Sequence, residues 1–171
     1  MLIMDFEAVD HTENNDNEAG LKQAGRRVQI VNAGSSQFGI FADEISAIVD
    51  WQQPAPLPHA PAAVLGVVSI QGRMLTVLDL ATIILGEGAL SNPPRSGAAQ
   101  LIALRGDEQL ALAVDGVGEI VAFPENVSKS NPVTAPVLGV LQHEGAEISI
   151  LNLPGLFPTA IQGRQRRQRQ F

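Results

Sequence analysis

The chain reads as an all-β protein built from two small five-stranded barrels packed side by side, and three observations carry that expectation. The first is a pair of apolar runs, residues 64–70 and 74–78, separated only by Gln71-Gly72-Arg73, the pattern of a tight hairpin between buried strands. The second is internal duplication. Sliding the sequence by 73 places Val137-Leu138-Gly139-Val140-Leu141 on Val64-Leu65-Gly66-Val67-Val68, Gly145 on Gly72, and residues 148–153 on 75–80. Upstream, an offset of 72 brings residues 38–43 onto 110–115, Ile45, Ile48 and Val49 onto Val117, Ile120 and Val121, and Gly34 onto Gly106. The third is glycine inside strand patterns. Gly66 and Gly139 weaken a strand unless they allow a bulge, a bend or the close approach of another backbone, and a small closed barrel needs such bends.

Residues 27–31 read as a strand, 32–36 as its turn and 37–42 as the returning strand. Asp43 opens 44–50, where Ile45, Ile48 and Val49 fit either a short helical turn or an irregular strand. Pro54, Pro56, Pro58 and Pro61 remove amide donors, so 52–61 is a stiff connector leading into the hairpin. Asp79, matched by Asn152 in the second copy, suits the cap of a short apolar helical segment at 80–85. Residues 86–98 link the copies, and the second copy repeats the order: strands at 101–104, 110–114 and 117–121, a looser 124–136, then the hairpin. The folded part is expected at 27–158, as two half-repeats of about 27–88 and 99–158. An acidic arm (1–26) and an Arg/Gln-rich tail (159–171) are expected to be disordered. The apolar start, 1–6, reads as a leader in preference to a docking peptide.

The 171 residues suffice for one domain or two interdependent halves, and a unit of about 70 residues sits near the lower limit for an independent core. Apolar residues make up 45% but aromatic ones only 4%, so the core must be Val, Ile, Leu and Ala. The chain has no cysteine, which removes disulfides and thiol chemistry and fits a reducing compartment. Its net charge is −7, with acids concentrated in the leader and Arg164, Arg166, Arg167 and Arg169 at the end, so nucleic acid would be repelled except by the tail. No apolar stretch is long enough for a membrane span, and a cytoplasmic location is expected.

The search for chemistry returns little. His11 lies in the acidic arm, His59 among prolines and His143 at the second hairpin turn, with no metal-ligand spacing between them. Gly116-Val117-Gly118 lacks the context of a phosphate loop. Asp43 and Asp115 correspond across the copies, but each sits at a strand exit where aspartate makes local turn bonds. No catalytic, cofactor-binding or metal-binding residues are assigned.

Phe38-Gly39-Ile40, the Ala60-Pro61-Ala62 lead-in, Leu65-Gly66-Val67-Val68, Gly72, Val77-Leu78-Asp79-Leu80 and Val114-Asp115-Gly116-Val117 form an ordered series that resembles CheW-type chemotaxis adaptor domains, from about residue 27 to 158. The resemblance implies paired SH3-like barrels without enzymatic activity. It also implies coupling of the cytoplasmic tip of chemoreceptors to the regulatory domain of a CheA-type histidine kinase, with membrane association only through receptors. Carried over by position, the partner-binding candidates are Ile48, Gly66, Val68, Gln71 and Gly72, a core role competing for Ile48 and Val68. The sequence departs from the family at Ala47, usually Glu, and at Gln71, usually Arg. Those departures and the tails suggest, as an alternative, an adaptor for a type IV pilus or other specialised chemosensory system. A nucleic-acid-binding barrel is the alternative from another class, opposed by the acidic body and the single Trp51.

Overall fold

The computed structural model describes residues 25–86, 99–106, 108–123 and 136–162. The described residues form ten strands: β1 (Arg27–Ala33), β2 (Ser36–Phe41), β3 (Ile45–Asp50), β4 (Val64–Ile70), β5 (Arg73–Asp79), β6 (Gln100–Leu104), β7 (Leu110–Val114), β8 (Gly116–Ala122), β9 (Val137–His143) and β10 (Ala146–Leu151). A 3₁₀ turn, Ala42–Glu44, lies between β2 and β3; helix α1 (Leu80–Leu85) follows β5 and helix α2 (Leu153–Gln162) follows β10. The first sheet has the order β8-β1-β2-β10-β9 and the second β3-β6-β7-β5-β4.

The duplication therefore holds, but the barrels do not follow the half-repeats 27–88 and 99–158. Each sheet takes the first two strands of one copy and the last three of the other, and the two orders are identical once the copies are exchanged. Connection length explains the exchange. Only Asp115 separates β7 from β8, too few residues for a hairpin loop, so the chain runs on from the second sheet into the first. Its counterpart is the 3₁₀ turn that carries β2 of the first sheet into β3 of the second. The ambiguous segment after Asp43 thus resolves as this turn followed by an edge strand.

Both long hairpins turn through two left-handed residues, Gln71 (φ 51) with Gly72 (φ 78) and Glu144 (φ 50) with Gly145 (φ 81), the type I′ combination that matches strand twist. The interior glycines behave as their positions required. Register shifts between Val64 and Gly66 and, at the matching place, where Gly139 pairs with Ile150 and Val137 with Leu151. Gly66 has φ +142, and a Cβ there would lie 2.2 Å from the Ala55 carbonyl oxygen. That approach exists because Ala55 and Val67 exchange two backbone hydrogen bonds of 2.9 Å. Flanked by Pro54 and Pro56, Ala55 spends its amide on β4, and its neighbours offer none to another chain, so the connector blunts a free sheet edge.

Three apolar clusters follow from this topology. Val28, Ile30, Phe41, Phe123, Leu141, Ile148 and Ile150 fill the first barrel, where Phe41 and Phe123 meet edge to face at 5.4 Å. Val68, Ile70, Leu75, Val77, Leu101, Ala103, Ala111 and Ala113 fill the second. The seam between them gathers Val31, Phe38, Ile40, Leu78, Leu80, Ile102, Leu112, Val114, Leu151 and Leu156 from both sheets and both helices. Strands at the seam are buried on both faces: in β7, Ala111 and Ala113 point into the barrel while Leu110, Leu112 and Val114 point into the seam.

Two local expectations change. Asp79 begins α1 as foreseen, but its buried carboxylate accepts the Thr82 hydroxyl at 2.6 Å instead of capping backbone amides. Helix α2 runs through Pro158 to Gln162, beyond the boundary placed at 158, because Leu156 and Ala160 are buried in the seam and outweigh the lost amide. Residues 1–24, 87–98 and 163–171 lie outside the described residues, and with them the expectations for arm, linker and tail. Among the described residues no helix is long and apolar enough to cross a membrane.

Gly66→Ala should destabilise the protein by roughly 1–3 kcal/mol, since both the φ and the Ala55 carbonyl oppose a Cβ. Gly72→Ala, with nothing within 4 Å, should cost only about 1 kcal/mol for its left-handed φ. Urea unfolding of both variants measures the difference.

Candidate partner-binding surfaces

Strand β3 is an edge of the second sheet, and its burial alternates. Ala47 and Val49 pack on the barrel core, whereas Ser46, Ile48 and Asp50 face out. Ile48 is 37% exposed while paired to Ile102, so an apolar side chain is presented on a strand with one free edge. Gln71 and Gly72 stand exposed at the β4–β5 tip of the same barrel. Val68 is 6% exposed inside that barrel, so the core reading wins there. Gly66 is buried under the proline connector. Of the five candidates, Ile48, Gln71 and Gly72 can touch a partner; Gly66 and Val68 shape the strand behind them.

The surface has a twin that the candidate residues omitted. Ile120, the offset counterpart of Ile48, is 45% exposed on β8, an edge of the first sheet. Glu144 and Gly145 repeat the tip. The signal was in the sequence, since the offset of 72 already mapped 48 onto 120.

The corners where the chain changes sheets, at Asp43 and Asp115, are tied by long-range bonds. The Asp115 carboxylate accepts the Gly34 amide at 2.7 Å, and its own amide donates to the Asn32 carbonyl at 2.8 Å. Asp43 instead receives the Arg26 guanidinium at 2.9 and 3.1 Å, while Arg26 lies 3.5 Å above the Phe41 ring. The Arg105 amide donates to the Glu44 carbonyl at 2.8 Å and its Nε to the Ile45 carbonyl at 2.9 Å, lashing the β6–β7 turn to this corner.

Beside that corner a cavity of about 350 Å³ opens at the mouth of the seam, between the β6–β7 turn and the start of α2. Leu104, Leu110, Leu153 and Pro154 give it apolar walls, and Glu44, Arg105 and Glu108 a charged rim. Burial raises the Glu44 carboxyl above its ordinary 4.5; Arg26, 3.9 Å away, pulls it down and Asp43 pushes it up. Its Oε2 is buried without a hydrogen-bond partner. A larger depression, about 710 Å³, flanks the matching β1–β2 turn, between Phe38, Ile84, Leu85 and Ser149.

Comparison with known proteins places these surfaces in context. The sequence model of the CheW-like domain matches residues 27–160. The chain is 27% identical over 145 residues to "Chemotaxis protein CheW" of Rhizobium meliloti (strain 1021), covering 81% of this chain and 92% of that protein. It is 24% identical over 143 residues to "Probable chemotaxis protein CheW" of Rhizobium etli, covering 80% and 90%. Among solved structures, scaffolding protein TtCheW from Thermoanaerobacter tengcongensis shares the fold, with a TM-score of 0.67 at 19% identity over 78% of this chain and 88% of that one.

Because burial raises the Glu44 carboxyl, the folded state holds its proton more tightly than the unfolded chain. Stability is lost as pH rises from about 4.5 through the higher folded value, and the loss persists at neutral pH. Glu44→Gln should therefore melt higher than the parent at pH 7, with the difference vanishing near pH 4, where both side chains are neutral. Thermal unfolding across pH 4–8 measures it; a lower melting temperature at pH 7 would show that the Arg26 attraction dominates.

Proposed function

Since the chain belongs to the family of CheW-like domains, a family of non-enzymatic adaptors, we propose that it couples cytoplasmic tips of chemoreceptors to the regulatory domain of a CheA-type histidine kinase. It works in the cytoplasm and reaches the membrane only through the receptors. The observation that carries the reading is Ile48, an apolar side chain held outward on the edge strand β3 of the barrel that also exposes the Gln71-Gly72 tip. A second small barrel with a complementary edge buries that isoleucine and adds backbone pairing along β3. A helical tip instead suits the mouth of the seam, where Leu104, Leu110 and Leu153 offer an apolar floor and Glu44, Arg105 and Glu108 fix orientation. Both roles are binding roles, and they use different faces.

Isothermal titration of the full chain with a CheA-type regulatory domain tests the reading. Micromolar binding is expected, and Ile48→Asp should weaken it at least about tenfold by placing a charge in the interface core, with the fold retained and a melting temperature lowered only modestly, since Ile48 is paired to the buried Ile102 but is itself 37% exposed. Absence of binding by the parent protein, or full affinity in Ile48→Asp, would remove it.

A further inference from the structure

The outer edges of the first sheet, β8 and β9, meet through side chains at Glu119 and His143. The His143 Nε2 lies 3.2 Å from Glu119 Oε1, and Glu144 turns toward the same imidazole, so that one ligand-capable atom from each residue lies within 4.8 Å of the other two. We propose that Glu119, His143 and Glu144 form a binding site for a divalent transition-metal ion of the zinc class, which clasps the two edges of this barrel.

Several features build the site beyond mere proximity. Glu144 is held by the left-handed conformation (φ 50) of a type I′ turn, and His143 is the last residue of β9, so two donors come from a rigid hairpin end. Glu119 comes from the other edge strand, at a place where β8 bulges, Gly118 and Glu119 standing opposite the single β1 residue Ile30. There the buried Gln29 side chain donates to the Gly118 carbonyl at 2.6 Å and the Glu119 carbonyl at 3.2 Å, fixing the backbone that carries the third donor. In the second barrel the corresponding positions are Ala47, Ile70 and Gln71, which leaves the donor set unique to the first.

The donor set also selects the ion. One imidazole with two carboxylates suits zinc, nickel or copper, whereas magnesium asks for an octahedron of oxygens. Donors around zinc lie about 2.0–2.2 Å from the metal, so the exposed carboxylates must close by small rotamer changes, which their position permits. The three residues leave a fourth position for water. Sequence spacing gave no hint of this, because Glu119 is brought to His143 only by closure of the sheet.

The full chain, stripped with EDTA and titrated with zinc chloride, tests the proposal by calorimetry and thermal unfolding. Binding of about one ion per chain with a raised melting temperature is expected, together with no response to magnesium. His143→Ala and Glu119→Gln should each weaken binding at least about tenfold, while His11→Ala and His59→Ala leave it intact. Circular dichroism of the metal-free variants establishes that they are folded, and Glu119→Gln carries the test should His143→Ala unfold. Absence of saturable zinc binding, an equal response to magnesium, undiminished binding by the folded variants, or loss of binding in His11→Ala would each overturn it.

Discussion

The shortness of the two crossings between sheets governs this molecule. A strand followed by one residue, as β7 is by Asp115, has no room to reverse, so the next strand must pair elsewhere. That exchange, made through Asp115 in one copy and through the 3₁₀ turn Ala42–Glu44 in the other, makes each barrel a composite of both halves of the chain. Neither half contains a complete sheet, which is why a unit near the lower size limit for an independent core is stable here only as a pair. Many of the stabilising contacts are consequently remote in sequence, the feature that slows folding of β-rich domains.

The seam is the energetic counterpart of that exchange. Strands that pass between the barrels bury both faces; in β7 the alanines Ala111 and Ala113 face the second barrel's interior while Leu110, Leu112 and Val114 face the seam. The helices complete it. Alpha-helical propensity has little to do with α2, which contains Pro154 and Pro158 and is held by Leu156 and Ala160 against the seam. Both crossings are fastened by polar groups from distant turns, Asp115 by Gly34 and the Glu44 corner by Arg105, so the parts of the chain that change sheets are also among the most tightly tied.

The two barrels share a plan and differ in chemistry. Ile48 and Ile120 occupy matching outward positions on matching edges, but the first barrel carries the cluster of Glu119, His143 and Glu144 where the second has Ala47, Ile70 and Gln71 at the corresponding positions. At the crossings, Asp115 bonds a backbone amide, whereas Asp43 is turned to Arg26 and leaves Glu44 with a partly desolvated carboxyl. Duplication thus supplied two equivalent edges, and side-chain substitution made them unequal. An adaptor that engages different partners on different faces requires that inequality.

The all-β class, the strand positions other than that of β3, the hairpin at Gln71-Gly72 and its twin at Glu144-Gly145 were legible in the chain, because alternation, tight-turn chemistry and repetition are local properties. So was the special role of Gly66, since glycine within an apolar strand needs a backbone reason, here the bulge and the Ala55 carbonyl. Which strands share a sheet was not legible: pairing is settled by which apolar faces can be buried together, a property of the whole chain. The same reason separates Ile48 from Val68. Both are aliphatic residues in strands with half-buried patterns, and only the closure of the barrel put one outside and the other within. It also brought Glu119 to His143, as no spacing could foretell, because residues on opposite edges become neighbours only when the sheet curls far enough for its ends to meet.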